Sequence, residues 1–205
     1  MNIKLHYLDV RARGESIKLF LKYVKQDFEL DSFGFAEMKE RNKESPNHKC
    51  PWVTIDGKEL AEEFAILRFL SKKHGLYGKD DWDAAEIDMI ADMFKDLIAS
   101  TVPYLRIANG AIQGDLDTSK KEVLFPSFEK YLPSFINFVK NSGTGFLHSS
   151  GLSWADFVVA NWITSYVNFD DEFKTKYPEL IEYQTKVYDL PGVKEYVEER
   201  PHSFL

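Results

Sequence analysis

The chain has 205 residues, 44% hydrophobic and 15% aromatic, which is ample for a packed core and too apolar for a disordered chain. At roughly 100–200 residues per domain it holds one ordinary domain or two small ones. The formal charge of −7 and the lone Cys50 argue against a general nucleic-acid binder and an internal disulfide framework, and fit a reducing, cytoplasmic setting.

No apolar run approaches the ~18 residues of a membrane span. The charged start MNIKLHYLDVRARGE does not read as a signal peptide. Residues 1–80 carry a net +2 and the remainder −9. The hydrophobic pattern changes near KDDWD (79–83), so the expected domains are 1–78 and 79–205.

In chain order, Ile3, Leu5 and Tyr7 alternate with Lys4 and His6 as in a short strand. After Gly14, Ile17, Phe20, Leu21 and Val24 recur at helical spacing, and Phe28–Leu30 resembles a second strand. EMKERNKESPNHK (37–49) is polar, with Pro46, and is expected as loop with a helical turn. Trp52, Val53 and Ile55 form a strand, Asp56-Gly57 suits a hairpin turn, and Lys58–Leu60 returns. Glu62 and Glu63 open a helix carrying Phe64, Leu67 and Leu70 on one face and closing near Gly75.

The rest is expected to be helical. Ala84–Asn109 is a long amphipathic stretch interrupted by Pro103, and Thr118–Lys140 is another. Gly143–Gly151 is a loop. Ser153 and Asp156 have capping-box spacing, with Leu152 and Phe157 placed as a hydrophobic staple. FVVANWITSYV, apolar on nearly every side, belongs in the core. Helices near 178–189 and 191–199 complete an α/β segment followed by an all-α one.

Hydrolytic and metal machinery leaves no trace. His6, His48, His74, His148 and His202 sit in no HExxH or CxxC frame, and neither GxSxG nor a phosphate-cradling GxxxxGKS occurs. No metal ligand set is expected. The chemistry-bearing corner is Tyr7 to Glu15, where a Tyr ends a strand just before a helix start that favours an anion. On spacing alone, packing of a half-buried Tyr7 and pairing of Arg13 with Glu15 explain the same residues.

Taken with the CPWVTIDGKELAEE-AI-L run (50–67), FLSKKHGLYGKDDWDAAEIDMI (69–90) and GFLHSSGLSWADFVVA (145–160), the corner YLDVRARGE (7–15) resembles the cytosolic glutathione transferases. The likeness is greatest to the sigma-like and nematode-type members, whose relatives include glutathione-dependent prostaglandin D synthases. It covers essentially the whole chain. It implies a thioredoxin-like N-terminal domain, an all-helical second domain and a homodimer. Glutathione would be a co-substrate and no cofactor is implied.

The resemblance assigns Tyr7 to hydrogen-bond the glutathione sulfur, with Arg13 supporting the thiolate. It makes Pro51 a cis-proline that turns the Cys50 backbone toward the ligand, and sets Lys49 at the glycine carboxylate. Asp96 would act across a dimer interface. Tyr104, Phe204 and Leu205 would wall a pocket for a small apolar electrophile.

Several glutathione-side positions depart from the family pattern. Glu62 and Glu63 stand where it has Gln or Glu followed by Ser, and that Ser helps hold the γ-glutamyl carboxylate. Met38 replaces a Trp, Asn42 replaces a Lys with Lys43 next door, and Ala12 replaces a Gly. A Glu63 that swings to solvent would leave backbone amides to bind alone. The rival reading is a non-catalytic protein of this fold, either a haem or lipid carrier or a crystallin-like structural protein.

Overall fold

The computed structural model describes residues 1–201 and Ser203. It opens with β1 (Ile3–Leu8), α1 (Ala12–Tyr23) and β2 (Glu29–Phe33), followed by the short α2 (Met38–Arg41) and a 3-10 turn over Asn42–Glu44. Strands β3 (Trp52–Ile55) and β4 (Lys58–Ala61) form a hairpin, and α3 (Glu63–His74) follows. The hairpin turn has φ of 49° at Asp56 and 81° at Gly57, the doubly positive pair that matches strand twist.

The sheet order is β2-β1-β3-β4, with β1 and β2 parallel and the other pairs antiparallel. This order brings the functional loops together. His6 pairs with Trp52 and Trp52 with Ala61, so the end of β1, the start of β3 and the end of β4 share one edge. Leu8 pairs with Phe33, which brings the end of β2 there too. The loops 9–11, 34–51 and residue 62 therefore open on the same end of the sheet. His6 stacks on Trp52 at 4.6 Å and bonds Asp31 and Thr54 at 2.7 and 3.0 Å, tying three strands together there.

Beyond the sheet the chain is helical: α4 (Asp81–Ala108), α5 (Leu116–Ser119), a π-helical segment over Lys120–Leu124, α6 (Phe125–Ser142), α7 (Trp154–Phe169), α8 (Phe173–Lys176), α9 (Pro178–Tyr188) and α10 (Val193–Glu199). Of α7's 16 residues 13 are buried, so it runs through the core as its composition predicts. Its start is fixed by Asp156, whose carboxylate accepts from the Ser153 N–H and hydroxyl at 2.8 and 2.9 Å.

Two expectations needed correcting. Helix α4 is not interrupted at Pro103 but runs on to Ala108. The carbonyl that Pro103 leaves unpaired belongs to Ala99, on the exposed face, where it is open to solvent and the lost bond costs little. The stretch 118–140 is not one regular helix: a π turn precedes Pro126, which has no N–H to continue the ladder.

Helix α1 packs on α7, and the buried Glu15 ties it to α10 through Arg200 at 2.7 Å and the Tyr196 hydroxyl at 3.1 Å. Glu15 is thus held by Arg200, and the sequence alternative of an Arg13–Glu15 pair is not formed.

Candidate active site

The shared sheet edge carries a cleft of about 350 Å³ lined by Arg13, Met38, Asn42, Asn47, Lys49, Cys50, Pro51, Glu62 and Glu63. Eight of these nine were singled out in the sequence. Asn47 was missed. It carries no charge and follows a proline in a polar loop, so its type gave no signal. Its side chain is the loop's organiser: Oδ1 accepts from the Ser45 hydroxyl and the Lys49 N–H at 2.9 and 3.2 Å, and Nδ2 donates to Glu62 at 2.8 Å.

Tyr7, the penultimate residue of β1, is 4% exposed and does not itself line the cleft, but it interacts with Cys50 and Glu63, which do. Its ring lies on the α1 backbone, where a Cβ at Gly14 would fall 2.2 Å from Cδ1. Its hydroxyl accepts the Arg13 N–H at 3.1 Å, leaving its own proton to donate. Burial pushes the phenol pKa up, nearby Cys50 and Glu63 add to this, and the Arg13 and Gly14 N–H groups oppose it. Tyr7 is therefore a neutral donor at physiological pH, and not a base.

The Cys50–Pro51 bond is cis, and both residues line the cleft. Burial raises the Cys50 thiol pKa, keeping the side chain a small protonated group. Ala12 has φ of 30° and Glu62 of 73°, conformations that side chains rarely adopt. The Ala12 value explains why a glycine suits that position. Glu62 immediately precedes α3, and its side chain does not cap the first α3 amides, which leaves that helix end attractive to an anion.

Glu63 departs from the expectation. Its side chain does not swing to solvent: it is 1% exposed, and Oε1 accepts from the Ser16 hydroxyl at 2.8 Å. Asn161 on α7 donates to Ser16 Oγ at 3.3 Å and to the Ala12 carbonyl at 2.8 Å. Ser16 and Asn161 are polar residues inside apolar helix faces, a signal that could have marked them. Glu63 Oε2 is buried without a partner among the described residues. Burial pushes this carboxyl up to about 7, against the pull of Arg13 and Ser16 and with the help of Glu62.

Among the described residues neither Arg13 nor Lys49 makes an ion pair, and both line the cleft. With the uncapped α3 amides they form an anion-receiving surface beside a phenolic donor.

Residues 104–200 match a family model described as the glutathione S-transferase C-terminal domain. Over 98% of its length and 98% of the relative's, the chain is 32% identical to probable glutathione S-transferase 7 of Caenorhabditis elegans. The chain belongs to the glutathione S-transferase family.

Two solved members share the whole fold of this transferase. Monomeric Na-GST-3 of the hookworm Necator americanus is 33% identical, with TM-score 0.93 over 100% of both chains. A prostaglandin synthase D of Nilaparvata lugens is 28% identical, with TM-score 0.88 over 98% of this chain and 100% of that one. The expected α/β-then-helical fold and the nematode-type resemblance both hold.

Lys43, Asp96 and Tyr104 do not line the cleft of this transferase. Lys43 is exposed and pairs with Glu40. Asn42 itself lines the cleft, and its Oδ1 is buried without a partner among the described residues. Asp96 is exposed on α4. Tyr104 is buried, 5.6 Å from the Phe169 ring, and its hydroxyl donates to the Phe169 carbonyl at 3.4 Å. Phe204 and Leu205 lie outside the described residues.

Asp83, Glu86 and His148 bring ligand-type atoms within 4.8 Å of one another, a group the sequence did not reveal. His148 is already committed: the Ser150 N–H donates to Nδ1 at 3.1 Å, so Nε2 carries the proton toward Glu86 at 3.1 Å. No lone pair is left for an ion. Among the described residues no helix is long and apolar enough to cross a membrane.

Proposed function

We propose that this transferase binds glutathione in the 350 Å³ cleft and attacks small apolar electrophiles with its thiolate. The carrying observation is the Tyr7 hydroxyl, which accepts the Arg13 N–H at 3.1 Å and keeps its own proton to donate, near a cleft edged by Arg13 and Lys49, neither of them ion-paired among the described residues. The O–H donates to the sulfur and favours the thiolate, the nucleophilic form. The Arg13 charge adds to that preference, and Lys49 reaches a ligand carboxylate. Met38, Asn42, Cys50, Pro51, Glu62 and Glu63 shape the rest of the glutathione site. With a chloronitrobenzene, the thiol proton goes to solvent, a carbon–sulfur bond forms and chloride leaves. Both reactants are organic, and glutathione is the co-substrate.

In this reading residues 1–78 hold glutathione, and the helical remainder of the chain supplies the electrophile pocket. Likeness to a prostaglandin synthase D supports a sigma-like class and an endoperoxide as one electrophile to try. Exposed Phe69 on α3 and Trp82 and Met89 on α4 favour a homodimer in which Asp96 acts toward the partner's site. The single Cys50 favours the cytoplasm.

The test is conjugation of a chloronitrobenzene, with ultraviolet difference absorbance of the bound thiolate, from pH 5.5 to 8. Turnover with a thiolate signal supports the reading. Neither signal at any pH overturns it and leaves the non-catalytic ligand carrier, which the buried Glu63 carboxyl favours.

A further inference from the structure

Glu63 begins α3, whose first amides receive no side-chain cap from Glu62 and attract an anion alongside the Arg13 and Lys49 charges of the cleft. A carboxylate at this place opposes them. Its Oε1 is taken by the Ser16 hydroxyl, while Oε2 is buried without a partner among the described residues. A proton on this carboxyl therefore resides on Oε2, and the neutral form keeps the Ser16 bond intact.

We propose that the ionisation state of Glu63 sets the affinity of the cleft for the carboxylate that its ligand presents at the N-terminus of α3. Neutral Glu63 leaves the α3 amides to hold that carboxylate, and ionised Glu63 repels it across a water-poor wall. The inference rests on the glutathione reading and narrows it: the ligand brings a carboxylate, and its binding draws one proton from solvent onto Glu63.

The surroundings of Glu63 fit such a role. From α1, Arg13 and the Ser16 hydroxyl favour the ionised form, while neighbouring Glu62 disfavours it. From β1 and the β3 approach, Tyr7 and Cys50 face the same region, and both stay neutral near pH 7. From α7 only the uncharged Asn161 reaches the pair, through Ser16. Burial outweighs the rest and brings the carboxyl to about 7, so the balance tips within the physiological range.

The probe is S-methylglutathione, whose blocked thiol removes sulfur ionisation from the measurement. Calorimetric titration from pH 5.5 to 8, in buffers of differing ionisation enthalpy, reports Kd and proton uptake. If only the neutral form binds, roughly one molecule in ten is competent at pH 8. Wild-type Kd is then expected to rise about tenfold between pH 5.5 and 8, with proton uptake near pH 8. Glu63→Gln is expected to bind with a flat profile and no uptake. A flat wild-type profile without uptake overturns the inference and leaves the glutathione reading standing. So does an equal slope in wild type and Glu63→Gln. Absence of binding by both proteins at every pH overturns the inference and the glutathione reading together.

Discussion

The Ser16 hydroxyl donates to Glu63 Oε1 at 2.8 Å, joining α1 to the start of α3 through two buried side chains. The bond holds a carboxyl whose folded-state value, about 7, lies well above its ordinary 4.5. Between these values the folded chain binds more protons than the unfolded one. Stability from this group is therefore complete below about 4.5 and is lost as pH rises through about 7. The loss is on the order of 3 kcal/mol. Glu63→Gln should match wild type near pH 4.5 and exceed it by that amount at pH 8, in denaturant melts. An identical difference at both pH values would refute this account.

The sequence showed the site's residue types and concealed their postures. Tyr7, Pro51 and Glu63 were legible because each chemistry-bearing residue flanks a strand or helix end, and the register of β1, β3 and β4 brings those ends to one edge. The posture of Glu63 was not legible. Its burial depends on Ser16, 47 positions away, and on Asn161 of α7, neither of which local spacing relates to it. Pro103 misled for a similar reason: whether a proline breaks a helix depends on where its orphaned carbonyl faces, and Ala99 faces solvent.

Gly14 is required for close approach. An added Cβ would lie 2.2 Å from Tyr7 Cδ1 and 2.6 Å from Cγ, atoms of a rigid buried ring. Alanine ordinarily favours a helix by ~1 kcal/mol over glycine. Here the sign should reverse, because overpacking costs about 1–3 kcal/mol. Gly14→Ala is expected to melt earlier than wild type and to lose turnover as Tyr7 is displaced. A variant with wild-type turnover would show that the Tyr7 ring position is immaterial.

Tyr7→Phe removes one oxygen and separates packing from chemistry. The ring contact with Gly14 remains, while the Arg13 N–H loses its acceptor, costing about 1 kcal/mol of stability. Losing a hydrogen bond to a charged sulfur costs about 1.5–3 kcal/mol, a roughly 10–100-fold fall in turnover. The pH at which bound glutathione ionises should rise by about 1–2 units accordingly. Unchanged turnover and ionisation in a folded Tyr7→Phe protein would remove Tyr7 from the mechanism.

Asp156 is fully buried and uses both oxygens as paired acceptors. Oδ1 receives the Leu147 N–H at 2.9 Å and the Tyr183 hydroxyl at 3.0 Å. Oδ2 receives the Ser153 N–H at 2.8 Å and its hydroxyl at 2.9 Å. The group thus fixes the start of α7, the preceding loop and α9 at once. Asp156→Ala leaves several buried donors without acceptors, and a loss of roughly 3–5 kcal/mol is expected. Asp156→Asn should be nearly as harmful, since its NH2 must face two donors on one side. Ser153→Ala removes only the hydroxyl and should cost about 1 kcal/mol. Denaturant midpoints order the three variants. If Asp156→Asn were as stable as Ser153→Ala, the four-donor account of this carboxylate would be wrong, because an amide cannot accept from both sides.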